Sequence, residues 1–167
     1  MGDIDRLWAG WRSAYVGAGG PNKGHCVFCA LLESDRPSQE THVVWRDELT
    51  AVLLNAFPYG TGHVLIMPLE HVGELGELEP PASEALWRTT QLAIRAIQDA
   101  YKPDGMNIGA NLGSAAGAGI PEHLHMHALP RWKADTNFST AIANTRVLPE
   151  TLEVTWEKLT AAWPVDV

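Results

Sequence analysis

Glu122-His123-Leu124-His125-Met126-His127-Ala128-Leu129-Pro130-Arg131-Trp132 decides how the rest of this chain is read. Three histidines alternate with apolar residues. In an extended strand successive side chains point to opposite faces, so His123, His125 and His127 line one face, roughly 7 Å apart. Leu124, Met126 and Ala128 then point the other way, into a core. Imidazole is the side chain that gains and loses protons near neutral pH. Three on one face mark a metal site, a phosphate-handling site, or both. A single histidine on a strand is usually structural; strict alternation of three with apolar partners is hard to explain that way.

Immediately upstream runs Asn107-Ile108-Gly109-Ala110-Asn111-Leu112-Gly113-Ser114-Ala115-Ala116-Gly117-Ala118-Gly119. Small residues let the backbone approach a ligand, and successive N–H groups in such a loop can form an anion-binding nest. Alone it reads as a flexible turn. Just before a histidine strand it points to chemistry at phosphorus.

Further out, hydrophobic pattern and punctuation give an α+β chain. Ile4, Leu7, Trp8, Trp11 and Tyr15 have helical spacing, and residues 17–24 are a Gly/Pro/Asn loop. Residues 27–32 start a short helix that ends in the 34–38 stretch. Strands are expected at 42–45 and 50–54 with Arg46-Asp47-Glu48 as hairpin turn, then at 63–67, stopped by Pro68. The longest helix is expected over 82–101 after Pro80-Pro81, with Leu86, Thr89, Ala93, Ile94 and Ile97 as its apolar stripe. Pro103-Asp104-Gly105 closes it. The last core strands fall at 106–111 and 124–129, and a terminal helix at 150–163. Short strands, hairpin turns and one long helix predict an antiparallel sheet.

Composition narrows the function. The 167 residues suit one well-buried core, 46% of them apolar, and no apolar run is long enough for a membrane span. Met1-Gly2-Asp3-Ile4-Asp5 lacks the basic and apolar regions of a secretory signal, so a cytoplasmic location is expected. The net charge of −8 disfavours nucleic-acid binding but leaves room for a small anionic ligand. Seven tryptophans, spread along the chain, read mostly as core or interface anchors. The two cysteines stand as Cys26-Val27-Phe28-Cys29. A disulfide or a thioredoxin-type redox pair is possible, but neither has its usual context. Half of a zinc site, completed by histidines, is the better reading.

His123-Leu124-His125-Met126-His127-Ala128-Leu129 resembles the histidine-triad (HIT) signature, in which three histidines alternate with apolar residues. The resemblance spreads over about residues 25–135. Cys26-Val27-Phe28-Cys29 is similar to the opening of the zinc-binding bacterial branch, and Gly62-His63-Val64-Leu65-Ile66-Met67-Pro68-Leu69-Glu70-His71 to its Gly-His…Pro-x-x-His block. Asn111-Leu112-Gly113 and Ala116-Gly117 sit where the family's phosphate loop lies. Arg6-Leu7-Trp8, Pro130-Arg131-Trp132-Lys133-Ala134-Asp135-Thr136-Asn137-Phe138 and Pro149 resemble the actinobacterial diadenosine-tetraphosphate phosphorylases of the family.

The resemblance implies one HIT domain over 1–167, with a five-stranded antiparallel sheet, one long helix and a C-terminal helix, and a homodimer. It implies a nucleotide or dinucleoside polyphosphate substrate, cleaved at the α-phosphate through a covalent histidine–nucleotide intermediate. On that reading His125 is the nucleophile, and His127 contacts the α-phosphate or leaving group. Asn111 holds phosphate oxygens, with Ser114, Gly117 and Gly119 in the phosphate loop, and Asn55 binds ribose hydroxyls. Cys26, Cys29, His71 and His123 match the ligands of a structural zinc ion. His25 and His42 rank lower as ligands, and His63 is expected to anchor its strand. The sequence departs from the common pattern at Gly117-Ala118-Gly119-Ile120-Pro121-Glu122, which lacks the usual amide or hydroxyl; Glu122 either orients an imidazole or faces solvent. Two other classes fit the histidines less well: a catalytic metal held by His123, His125 and His127, and a non-catalytic nucleotide-binding dimer. Adenosine phosphoramidate hydrolysis is the nearest enzymatic alternative.

Overall fold

Two strands without a charged residue form the centre of the molecule. In the computed structural model, which describes residues 26–133, 135 and 148–164, β2 (Thr50–Leu54) and β3 (Val64–Pro68) are buried along their whole length. They pair antiparallel, Val52 opposite Ile66 and Leu54 opposite Val64. With β1 (Val43–Arg46), β4 (Gly105–Ala110) and β5 (Met126–Arg131) they make a five-stranded sheet in the order β1-β2-β3-β5-β4. All four pairings are antiparallel. The α+β architecture with one long helix and a C-terminal helix is as expected; the N-terminal helix and loop, His25 and the 136–138 part of the last motif lie outside the described residues.

Alternation divides the sheet's side chains between two cores. Val52, Leu54, Val64, Ile66, Leu124 and Ala128 face a layer built from α3 (Pro80–Tyr101) and α4 (Leu152–Ala161), where Leu86, Ala93, Ile97 and Leu159 meet them. Ala51, Leu53, Leu65 and Met67 face α1 (Val27–Leu32), through Phe28 and Leu32. Leu124 and Ala128 therefore point into the helix-covered core, and the histidines between them point to the α1 side. Leu92 is buried on α3 although it lies outside the expected stripe, while Ile94 is only half-buried. α3 begins at Pro80, two residues before the expected start; proline lacks an N–H exactly where the first helical turn has no partner for one, which makes Pro80-Pro81 a good first turn.

Local chemistry sets the connections. Asp47 Oδ1 accepts from the backbone N–H groups of Leu49 (2.9 Å) and Thr50 (2.6 Å), closing the β1–β2 turn. Thr50 Oγ1 and Thr89 Oγ1, both fully buried, satisfy each other at 2.8 Å between β2 and α3. A one-turn helix, α2 (Ser38–Thr41), ends at His42 in the left-handed region (φ 59°) and was not expected from the sequence. α4 docks through Trp156, whose indole N–H donates to Val43 O (2.8 Å), and through Trp163, stacked on Trp45 at 5.2 Å with 21° between the rings. Trp87 is 59% exposed and so takes no part in the core of the chain. Just before α4, the Glu150 carboxylate collects Tyr101 OH from the end of α3, Thr155 Oγ1 and the Lys158 ammonium. No helix among the described residues is long and apolar enough to cross a membrane.

The terminal helix is shorter than the expected 150–163, and the boundary that matters most for the histidines also moves. β5 starts at Met126, two residues later than the pattern implies, because the Leu124 N–H donates to Val72 O (2.6 Å) and not to the ladder. His123 and His125 thus sit in a lead-in segment held by the 71–73 loop. Only His127 lies in the strand proper.

Candidate functional site

The histidines are brought together by β3 and β5. Leu65 pairs with His127, so alternation along His63-Val64-Leu65 places His63 on the same face as His127. Their rings meet with Nε2 of His63 3.0 Å from Nδ1 of His127. His63 enters β3 from Gly62, whose φ of +75° favours glycine. A Cβ there would also lie 2.9 Å from the Pro130 ring and 3.1 Å from Tyr101.

Hydrogen bonding orders the protons in this row. A backbone N–H can only donate, and that of Tyr59 points at His63 Nδ1 (3.0 Å), with the Asn55 amide nitrogen at 3.4 Å from the same atom. His63 Nδ1 is therefore an acceptor, its Nε2 carries the proton, and that proton is donated to His127 Nδ1. A neutral His127 then holds its own proton on Nε2. The Tyr59 ring stacks on His127 at 5.7 Å and 16°, which fixes the imidazole plane.

His125 is arranged the opposite way. Its Nδ1–H donates to the carbonyl of His123 (2.8 Å), so the lone pair sits on Nε2. The ring is only 6% exposed. Burial holds its pKa below the ordinary histidine value, against the opposing pull of the His123 carbonyl. Burial thus favours the neutral imidazole, with its lone pair on Nε2. His127 is its neighbour, the ring centres 5.1 Å apart.

His123 faces away from this pair. Its Nε2–H donates to Pro68 O (3.0 Å), which turns Nδ1 toward Cys26 Sγ (3.3 Å) and Cys29 Sγ (3.5 Å). His71 Nδ1 lies 3.3 Å from Cys29 Sγ. The donor atoms of Cys26, Cys29, His71 and His123 all lie within 4.8 Å of one another. A tetrahedral zinc ion with two sulfur and two nitrogen ligands needs edges of about 3.5 Å, so this donor set fits one. The carbonyl partner of His123 is the kind of second contact that orients a metal-binding imidazole. Without a cation, burial and the adjacent Cys26 thiol push Cys29 up to about 11; a bound metal is what would make both sulfurs thiolates. His42 does not join this group.

The remaining expected residues follow β4 and β2 in the chain. Ala110 pairs with Met126, so the β4–β5 register carried one step further sets Asn111 opposite His125. Ser114 opens a 3₁₀ turn, Ser114–Ala116, and is exposed, as are Gly117 and Gly119. The amides of Ala116 and Ala118 bond to Gly113 O, and the Gly117 amide to Ser114 O (3.0 Å), so these donors already serve the loop. Asn55 follows β2 and accepts the Phe57 N–H on Oδ1 (2.9 Å). Glu122 is exposed beside the triad.

Sequence reasoning gave His63 a strand-anchoring role; the structure gives it a direct bond to the triad. The signal was its phase with Leu65, usable only once β3 is known to pair with β5. Tyr59 was given no role, and Phe28 entered only as part of the Cys26-Val27-Phe28-Cys29 motif. The Tyr59 contribution is mostly its backbone N–H, which no residue type advertises.

Comparison with known proteins converges on one family. The HIT domain model matches residues 36–134. The chain is 37% identical over 165 residues, 96% of its length and 85% of the relative's, to "AP-4-A phosphorylase" from Mycobacterium tuberculosis. It is 40% identical over 92 residues to a bis(5'-adenosyl)-triphosphatase from Saccharomyces cerevisiae, 54% of this chain and 44% of that one. Among solved structures, a zinc-bound histidine triad family protein from Mycobacterium smegmatis superposes with a TM-score of 0.67 and 30% identity, over 82% of this chain and 91% of the other.

Proposed function

The chain belongs to the histidine-triad (HIT domain) family, and from that premise we propose that it cleaves dinucleoside polyphosphates at the α-phosphorus through His125, with inorganic phosphate as the second substrate. The observation that carries the reading is the His125 tautomer: a buried ring whose Nδ1–H is spent on the His123 carbonyl presents an Nε2 lone pair.

In the first step Nε2 of His125 attacks the α-phosphorus. The P–O bond to the leaving polyphosphate breaks with its electron pair going to the leaving oxygen, which departs as an ionised phosphate steadied by a hydrogen bond from His127 Nε2–H. The resulting histidine–nucleotide bond is ordinary covalent catalysis. His63 keeps that His127 proton on Nε2 by donating its own Nε2–H to His127 Nδ1, and the Tyr59 and Asn55 donors at His63 Nδ1 hold this tautomer. In the second step a phosphate oxygen attacks the same phosphorus and the P–N bond breaks. Diadenosine tetraphosphate would yield ATP in the first step and ADP in the second. Asn111 steadies the non-bridging oxygens as charge builds, with help from loop donors other than the three already committed within it. Asn55 binds ribose with the amide capacity it does not spend on Phe57.

Zinc at Cys26, Cys29, His71 and His123 is structural on this reading, since four protein ligands close its shell. A homodimer is the fitting assembly. β4 is an edge strand of six uncharged residues, mostly exposed, with Ile108 at 42% exposure, the kind of edge that proteins cover by pairing.

The test is product analysis with diadenosine tetraphosphate, with and without phosphate, in wild type and His125→Ala. ADP plus ATP formed only with phosphate supports the proposal. AMP formed without phosphate replaces phosphorolysis by hydrolysis, and undiminished turnover by His125→Ala overturns the nucleophile assignment.

A further inference from the structure

The metal cluster and the nucleophile share a neighbour. Phe28 lies between Cys26 and Cys29 in sequence and is 6% exposed. Its ring meets His123 edge to face (5.5 Å, 85°) and His125 likewise (5.2 Å, 65°). Aromatic rings prefer this geometry, with a positive edge on a negative face, so the contact has a preferred orientation as well as a distance.

Phe28 does not hold that place by helix stability. α1 is six residues long, and its N-cap Cys26 makes no side-chain capping bond. A helix this short is not stable alone. It is fixed at its N-terminal turn by the two cysteines, which bracket Phe28 at positions 26 and 29, and by burial of Phe28 and Leu32 against β2 and β3. Zinc bound to Cys26 and Cys29 would clamp the backbone on both sides of the phenyl ring. The same ion would hold His123, whose carbonyl fixes the His125 tautomer. Two routes therefore run from the cluster to one imidazole: the His123 carbonyl, which sets its protons, and the Phe28 ring, which sets its plane.

We propose that Phe28 is a positioning residue that transmits the order of the zinc site to His125, holding the imidazole in line for attack. The inference rests on His125 being the nucleophile. It makes zinc occupancy a determinant of the chemical step although the ion touches no reacting atom. Misplacing a reacting group by an ångström costs up to about a hundredfold in rate, so a loosened His125 should show in kcat.

The experiment compares Phe28→Leu, which keeps apolar volume and loses the ring, with Phe28→Tyr, which keeps it, beside wild type and His125→Ala. Zinc per chain, kcat and KM for diadenosine tetraphosphate with phosphate, and the ¹⁵N and ¹H ring signals of His125 are measured on each, and the ring signals also on zinc-stripped wild type. Expected are one zinc per chain in both Phe28 variants, kcat lower by about tenfold or more in Phe28→Leu with KM little changed, and most of kcat retained in Phe28→Tyr. The His125 signals should shift or broaden in Phe28→Leu and in zinc-stripped wild type alike. An unchanged kcat in zinc-loaded Phe28→Leu overturns the inference, as does a raised KM with normal kcat, which would make the ring a substrate contact. His125 signals indifferent to zinc removal overturn it without any activity measurement. Full turnover by His125→Ala would instead remove the reading on which it rests.

Discussion

Nε2 of His63 and Nδ1 of His127 lie 3.0 Å apart, joining a residue at the start of β3 to the last histidine of the triad. Because the Tyr59 N–H occupies the other nitrogen of His63, this contact decides which nitrogen of His127 carries a proton. His63→Phe keeps the ring's volume and removes the donor. Its kcat should fall at least about tenfold, within the range for acid–base assistance, with a smaller change in KM. Steady-state kinetics, with circular dichroism to verify folding, checks this; an unchanged kcat would remove His63 from the proton path.

Zinc removal should destabilise the fold before it reveals anything about chemistry. A ligand that binds only the native state stabilises by about 4 kcal/mol when present at a thousand times its Kd. Chelator-treated protein should therefore melt several degrees lower in scanning calorimetry and recover on adding one equivalent of zinc. Cys29→Ser should melt low with or without added zinc. A wild-type Tm insensitive to chelation would exclude the metal cluster.

Glu150 ties α3 to α4 in a pH-dependent way. Burial works to raise its pKa, but the Lys158 ammonium and the hydrogen bonds from Tyr101 and Thr155 outweigh it, so the folded carboxyl titrates below its usual range. A depressed carboxyl contributes stability at pH above the unfolded value, near 4.3, and loses it as pH falls through the folded value. Glu150→Gln should cost about 1.5–3 kcal/mol at pH 7. The gap in Tm between wild type and variant should narrow as the pH is lowered from 5 toward 2. A gap that stays constant would mean that the charge is immaterial.

Gly62→Ala places a Cβ 2.9 Å from the Pro130 ring at a φ of +75°. Strain of this kind costs of order 1–3 kcal/mol. A backbone shift that relieves it carries the adjacent His63 along, so chemical denaturation should show lower stability and kinetics a lower kcat together. Loss of stability with kcat intact would show that His63 tolerates the shift.

Ile108→Lys puts a charge on the exposed face of edge strand β4. If β4 pairs across a two-fold axis, light scattering should fall from twice the 18.2 kDa chain mass to the chain mass itself. An unchanged mass would move the interface elsewhere.

How much of this was legible in the sequence depends on how local each cause is. β2, β3 and the long helix were placed within two residues because turn residues and prolines bound them, and their alternation or stripe is strong. The cysteine spacing alone gives half of a metal site; the full set Cys26, Cys29, His71 and His123 comes from the resemblance to the zinc-binding branch, and the four donors do converge. The start of β5 could not, because the Leu124 amide finds its partner in Val72, a contact fixed only by the folded 71–73 loop. His63 was legible in type but not in role, since its partner is 64 residues away in sequence. A glycine-rich loop suggests Gly117 as a phosphate donor, but its amide closes a turn on Ser114, a local fold that composition does not specify.

The Trp45–Trp163 stack has a spectroscopic consequence. Two indoles 5.2 Å apart and 21° from parallel have strongly coupled transition dipoles. They should give the folded chain an exciton couplet in the far-ultraviolet dichroism, which disappears when Trp163 leaves the sheet. Because Trp163 follows α4 directly, the couplet is a label-free gauge of whether that helix is seated, readable on the unmodified protein during a titration or a temperature ramp.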